Sequence, residues 1–245
     1  MKAEYRSRLF GSYDRHLVGL DPPDQEKLRW FRAYYAAHYA PQLAGVDRAS
    51  GVLEIGCSKG FLLQVLDGDG FAPLSGIDWS PEDLKRARAL APKAKLAHGD
   101  AALILGRDKT RYGVILLKAV LEHVPKKDVL PLLRLLASRL KPGGRLLVDV
   151  PNMDWLGANH ERYMDFTHEG GFTRESLRQV LGESFEVLEV FTADNHVTGG
   201  LWGNLRRRLA QSVLGSLLGW ADPEIGANPV WERSLIGVAT PKARR

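Results

Sequence analysis

From Val52 to Val150 the chain alternates short apolar runs with amphipathic stretches: VLEIG, FLLQVL, PLSGID, SPEDLKRARAL, AKLAHGD, YGVILLKAV, DVLPLLRLLASRL and GRLLVDV. Runs that short and that apolar read as strands buried on both faces, and the stretches between them are long enough to cross back as helices. The pattern predicts a parallel sheet with helices on both faces. Ser80 before Pro81 and Asp83 reads as a helix cap with proline at the first helical position, and Lys141-Pro142-Gly143-Gly144 as a helix stop that turns into a buried strand. Ahead of this core, Leu28, Phe31, Tyr35 and Tyr39 recur at helical intervals until Pro41 stops the run. Behind it come an irregular stretch after Val150, a helix from Thr173 to about Leu181, the strand FEVLEVF and a final strand RSLIGVAT. The last two can pair antiparallel at one sheet edge, which makes residues 193–231 between them an insertion.

Composition removes several classes. The one cysteine, Cys57, forbids a disulfide framework, and no Cys/His spacing or carboxylate cluster suggests a metal, so none is expected. The first residues are charged throughout and no apolar run approaches the ~20 residues a spanning helix needs. The expected location is the cytoplasm, at most peripheral at the inner face of the membrane. A net charge of +5 favours phosphate-rich partners or is simply a solvated basic surface.

The segment Val52-Leu53-Glu54-Ile55-Gly56-Cys57-Ser58-Lys59-Gly60 runs an apolar strand into a glycine turn and a helix beginning near Phe61. Gly56 and Gly60 let the backbone approach a ligand, and the helix start offers free N–H groups to an anion. Gly76-Ile77-Asp78-Trp79-Ser80 then places an acid at the end of the second strand, about 20 residues on, where it can accept hydrogen bonds from ribose hydroxyls.

These motifs resemble the class I S-adenosylmethionine-dependent methyltransferases, whose E-x-G-x-x-x-G is matched by Glu54, Gly56 and Gly60. Ser58 stands where the family commonly has glycine. The resemblance implies a Rossmann-like seven-stranded sheet with an antiparallel last strand, N-terminal helices and an insertion before that strand. The corresponding division is 1–50 as a helical cap, 51–192 as the cofactor-binding core, 193–232 as a basic amphipathic insertion and 233–245 as last strand and tail. It implies S-adenosylmethionine as cofactor and S-adenosylhomocysteine as product. The cofactor would be held at Glu54, Gly56, Cys57, Ser58 and Gly60, with Asp78 on the ribose and Trp79 against adenine. Asp100 and Ala101 would meet the adenine edge, and Lys118 would lie beside the methionine pocket. Asp100 suits an exocyclic amine, which needs an acceptor, and Trp79 offers a flat apolar face.

Residues 162–177, RYMDFTHEGGFTRESL, resemble a signature of a bacterial branch associated with cell-surface polysaccharides and glycolipids. They follow the fifth strand, at the carboxyl-end rim where open α/β sheets bind ligands. His168, oriented by Asp165, can take a proton from an acceptor hydroxyl, and so can His123 in Leu121-Glu122-His123-Val124. Glu122 and His123 can equally be packing residues, and Thr167, His168 and Glu169 can simply brace the next helix. Tyr34 or Tyr35 is expected to touch acceptor or cofactor.

In the insertion, Leu205, Leu209, Val213 and Leu217 share a helical face with Trp202 and Trp220, beside Arg206, Arg207 and Arg208. Such a helix either packs its apolar face on the domain or lies in a membrane interface over residues 201–220. The acceptor expected is a sugar hydroxyl of a glycan, glycolipid or nucleotide-linked precursor. RNA or small-molecule methylation and an inactive cofactor-binding scaffold at the membrane are the alternatives. Nucleic acid is the less expected partner because no RNA-binding module is visible, and the oligomeric state is open.

Overall fold

The computed structural model describes residues 8–10, 23–221 and 230–242; the rest of the N-terminal cap, the end of the insertion and the tail at 243–245 lie outside the described residues. A seven-stranded sheet runs in the order β3-β2-β1-β4-β5-β7-β6. Its strands are β1 (Val52–Ile55), β2 (Leu74–Asp78), β3 (Lys95–His98), β4 (Tyr112–Lys118), β5 (Leu140–Pro151), β6 (Phe185–Ala193) and β7 (Ser234–Pro241). The first five are parallel, and β7 inserts antiparallel between β5 and β6. Because β1 lies between β2 and β4, the strand order reverses there, and a crevice opens at the carboxyl ends of β1 and β4.

The helices are α1 (Asp24–Tyr34), α2 (Phe61–Gly68), α3 (Pro81–Leu90), α4 (Ala101–Arg107), α5 (Lys126–Arg139), α6 (Ala158–Tyr163), α7 (Arg174–Gly182) and α8 (Leu201–Ala221). One face of the sheet buries Leu133 and Leu136 of α5 with Leu177 and Leu181 of α7; the other buries Leu62, Leu63 and Leu66 of α2 with Tyr34 and Tyr39. Ser80 caps α3 by accepting from the Asp83 N–H, and Thr173 and Ser176 form a reciprocal capping box on α7.

Two local readings change. The KPGG segment does not stand between helix and strand: Leu140 already pairs with Tyr112, the register slips, and Arg145 pairs with Val114, so the turn is a bulge within β5. The aromatic run after α1 widens into a π-helical turn over Tyr35–Tyr39. That turn brings both Tyr34 and Tyr39 into the core, where each is about 1% exposed. Phe31 stacks on Phe61 at 5.7 Å, so α1 is a layer of the core.

Candidate active site

The turn after β1 holds its shape through residues that admit no larger neighbour. Gly56 has φ +73°, and a Cβ there would sit 2.4 Å from the Val120 Cγ2 methyl. Ser58 is also left-handed, at φ +43°, a conformation that disfavours any side chain. Its Oγ donates to Asp83 at 2.9 Å and its N–H to Asp78 at 2.7 Å, which explains how serine replaces the usual glycine. Asp78 also accepts from the Ser80 N–H at 2.8 Å, leaving further lone pairs for a diol. Buried Glu54 lies behind the turn with its Oε2 lacking a hydrogen-bond partner. Burial and the Asp78 charge together hold its carboxyl well above the usual carboxylate range.

Among the other expected cofactor residues, Asp100 caps α4 through the Leu103 N–H at 3.0 Å, with Ala101 as that helix's first residue. Half-buried Trp79 has Phe10 stacked 6.4 Å away, and Phe10 also meets His123 edge-on at 5.6 Å. The Cys57 thiol is buried against β2, where a Cβ on Gly76 would lie 2.7 Å from its Sγ, so Cys57 can offer a ligand only its backbone.

Lys118 joins a buried group at the ends of β4 and β5. At the end of β4 its Nζ lies 2.7 Å from Asp149 Oδ2 of β5 and 4.4 Å above the Tyr34 ring. The same oxygen accepts from Tyr34 OH at 2.9 Å and Tyr39 OH at 2.6 Å. Burial, then the Asp149 charge, pushes both phenols far above their ordinary pKa, so they are donors at any accessible pH. Tyr35 turns away to donate to Asp69, outside this group. Beside the hub opens a cavity of about 290 Å³, walled by Lys118, Asp149, Glu161, Asn195, Arg233 and Ser234. Arg233 pairs with Glu161 and covers the Trp155 ring at 4.9 Å. Ala119 takes φ +52° in its floor.

His123 and His168 come together, with ring centroids 4.7 Å apart. The Asp165 carbonyl accepts from the His168 N–H at 3.2 Å, and its carboxylate also reaches towards the second histidine, His123. Asp165 accepts from Thr167 Oγ1 at 2.7 Å, and that hydroxyl stands 2.8 Å from His123 Nδ1. Since the Thr167 proton goes to the carboxylate, Nδ1–H of His123 must donate, which leaves Nε2 as the acceptor. The His168 ring is fixed by the Glu161 carbonyl, 2.9 Å from its Nδ1, and likewise keeps its lone pair on Nε2. Thr167 thus ties the loop to His123 and His168 ties it to α6, while α7 has its own cap.

Glu122, His123 and His168 each bring one possible ligand atom within 4.8 Å of the others, a spacing that a small cation could span. Burial raises the pKa of the fully buried Glu122 carboxyl to about 8, against the opposing pull of its own backbone N–H. It therefore carries a proton at neutral pH.

That shift sets a pH dependence. Between the ordinary carboxyl range and about 8 the folded chain binds a proton that the unfolded chain has released. Stability therefore falls as pH rises through this window and is fully present below it. Glu122→Gln should flatten the slope, gaining on the parent by a few kcal/mol between pH 5 and 8 in urea denaturation. A parallel shift of both proteins would show that Glu122 does not titrate there.

Asp149, Asn195 and Arg233 escaped the sequence reading, which has Tyr39 only as part of the aromatic helical run and Thr167 only as a brace for the next helix. Asp149 left one signal, an acid inside the apolar strand RLLVDV. The others carry no pattern until the chain is folded.

With this geometry in hand, a family model described as a methyltransferase domain matches residues 28–190. Over 106 residues the chain is 33% identical to a ubiquinone biosynthesis O-methyltransferase of Bradyrhizobium diazoefficiens, covering 42% of this chain and 41% of that protein. Over 191 residues it is 29% identical to a 2-methyl-6-phytyl-1,4-hydroquinone methyltransferase of Synechocystis, covering 76% of this chain and 57% of that protein. It thus spans roughly two to three fifths of these relatives. A SAM dependent methyltransferase from Archaeoglobus fulgidus superposes with TM-score 0.65 at 18% identity, over 86% of this chain and 93% of that one. The magnesium protoporphyrin IX methyltransferase of Synechocystis, solved with bound SAH, gives 0.62 at 17%, over 98% and 99%. At these identities the structural likeness speaks for the fold.

Proposed function

The chain belongs to the methyltransferase-domain family, and on that premise we propose that it moves the methyl group of S-adenosylmethionine onto a hydroxyl oxygen of a sugar-bearing acceptor, a glycan, glycolipid or nucleotide-linked precursor. The residues after β1 and β2 fit that cofactor. Gly56 leaves space that a Cβ would fill, Glu54 Oε2 is buried without a partner, and Asp78 keeps acceptor capacity for ribose. Trp79 and Asp100 supply an apolar face and an acceptor for adenine. When bound, S-adenosylmethionine supplies an electrophilic methyl carbon on a sulfonium.

The chain's own residues then do three things. The cavity beside Lys118 and Asp149 holds the acceptor, and Phe10, Trp79 and Tyr34 border the crevice with rings that limit water. His123 Nε2 takes the hydroxyl proton as the oxygen attacks, while Thr167 and Asp165 keep Nδ1–H in place. Most of the acceleration comes from alignment of the two reactants.

The observation that carries the acceptor class is the cavity wall, where four ionisable side chains, an amide and a hydroxyl outnumber the apolar contacts of Ala119, Val150 and Pro151. Such a wall matches a polyhydroxylated ring better than a flat aromatic one. A hydroquinone head is the second reading, favoured by the names of the two curated relatives.

The test is transfer of labelled methyl from S-adenosylmethionine into a fractionated extract of the source cells. Label should enter glycan or glycolipid. Asp78→Ala should weaken cofactor binding about ten- to a hundredfold, the size of one or two lost charge-assisted hydrogen bonds, and remove the label with it. Label in quinol would move the acceptor to the second reading; label in RNA or protein would reject both.

A further inference from the structure

Helix α8 is turned the opposite way from a helix that belongs to a core. None of its 21 residues is buried. At the helical period Trp202, Leu205, Leu209, Val213, Leu217 and Trp220 form one stripe, and all are between 45% and 87% exposed. The half-buried positions Asn204, Arg207, Gln211, Gly215, Leu218 and Gly219 lie on the other side, which is polar over its first half. Arg207 forms an ion pair with Asp194 at the helix root, and Asn204 donates to the Gly199 carbonyl at 3.1 Å. The polar stripe thus faces the body and the apolar stripe faces away. Of the two readings the sequence allowed, packing of the apolar face on the domain is overturned.

We propose that this stripe seats on the surface of an anionic lipid bilayer, with α8 lying in the plane of the interface. Three observations select lipid over another protein. Tryptophans close both ends of the stripe, about 27 Å apart at 1.5 Å per residue, and tryptophan is the side chain that settles at headgroup depth. The helix has no acidic residue, while Arg206 and Arg208 flank or enter the stripe. Arg206 falls inside it, where a protein seam would bury a guanidinium without a counter-charge. At a bilayer its stem lies along the apolar surface and its head reaches a phosphate. No described helix is long and apolar enough to cross a membrane, so α8 lies on the bilayer and does not span it.

Docking in this way has a consequence that rests on the methyl-transfer reading. The root of α8 at Asp194 adjoins Asn195, which walls the cavity, so the seated helix brings the cavity mouth to headgroup level. The acceptor class is then a hydroxylated head on a lipid anchor.

The experiment is co-sedimentation of the full chain with vesicles of phosphatidylcholine and phosphatidylglycerol, beside vesicles of phosphatidylcholine alone. The protein should sediment with the anionic vesicles, and Leu209→Glu/Val213→Glu should weaken binding by at least about tenfold, since two apolar anchors become charged. Both side chains are exposed, so the melting temperature and S-adenosylmethionine binding should match the parent. A parent that stays in the supernatant, a variant that binds equally well, or a parent dimer that the variant dissolves in the absence of vesicle binding would each overturn the proposal. Vesicle binding is read without any turnover, so its failure and a failure of methyl transfer are told apart.

Discussion

Asp149→Ala is expected to lower the stability of the folded chain by about 3 kcal/mol, because removing one member of a buried ion pair leaves the other charge uncompensated. The loss should fall at the low end of the range for such pairs, since the Lys118 side chain keeps 18% of its surface in water against 3% for Asp149. Tyr34 and Tyr39 lose their acceptor in the same step, and with it the bonds that fasten α1 to the carboxyl ends of β4 and β5. Asp149→Asn keeps an acceptor for the phenols and should lose less. Pairing Asp149→Ala with Lys118→Met should recover at least about 1 kcal/mol relative to Asp149→Ala alone, as expected for directly coupled sites. Urea denaturation of the parent, these three variants and Lys118→Met alone measures all of this. Additive losses would show that lysine and aspartate do not act as a pair.

His123→Ala should cut kcat by about 10²–10⁴-fold, the usual contribution of a positioned base, while the dissociation constant for S-adenosylmethionine changes by no more than about twofold. Single-turnover methyl transfer and calorimetric binding separate the two quantities. Thr167→Val tests the positioning chain from Asp165, because it removes the hydroxyl between carboxylate and imidazole and leaves His123 itself intact. Its signature is a lower kcat at unchanged KM with a displaced pH–rate profile. Equal and small losses in kcat and cofactor affinity for His123→Ala would remove His123 from the chemistry.

The cofactor half of the proposed site is legible in the sequence because its residues are local. Glu54, Gly56 and Gly60 lie in one strand–turn–helix, and Asp78 and Asp100 end or follow the next two strands, so spacing along the chain is spacing in the crevice. Parallel order and the antiparallel last strand followed from the same rhythm. The acceptor half is assembled from distant pieces: Tyr34 and Tyr39 from the N-terminal helix, Lys118 and Asp149 from neighbouring strands, and Asn195 and Arg233 from the two ends of the insertion. No periodicity announces such a meeting. His123 and His168 were each visible, but Asp165 was assigned to its sequence neighbour alone, whereas its carboxylate also reaches the histidine from β4's end through Thr167. In α8 the stripe was legible and its direction was not, because which side faces the body is settled by Asp194, a residue outside the helix.

Ala193 and Ser234 are cross-strand partners in the β6–β7 ladder, so the whole excursion from 194 to 233 begins and ends at a single pair of facing residues. Closing a flexible loop grows more unfavourable only with the logarithm of its length, about 0.6 kcal/mol for each doubling. The sheet is therefore nearly indifferent to what hangs between those two strands. A lineage can lengthen, shorten or exchange α8, and with it the surface the protein visits, without renegotiating the core that holds the methyl donor. Among the described residues of the excursion, Asn195 and Arg233 reach back into the cavity, so changes there would be felt by the acceptor site proposed above.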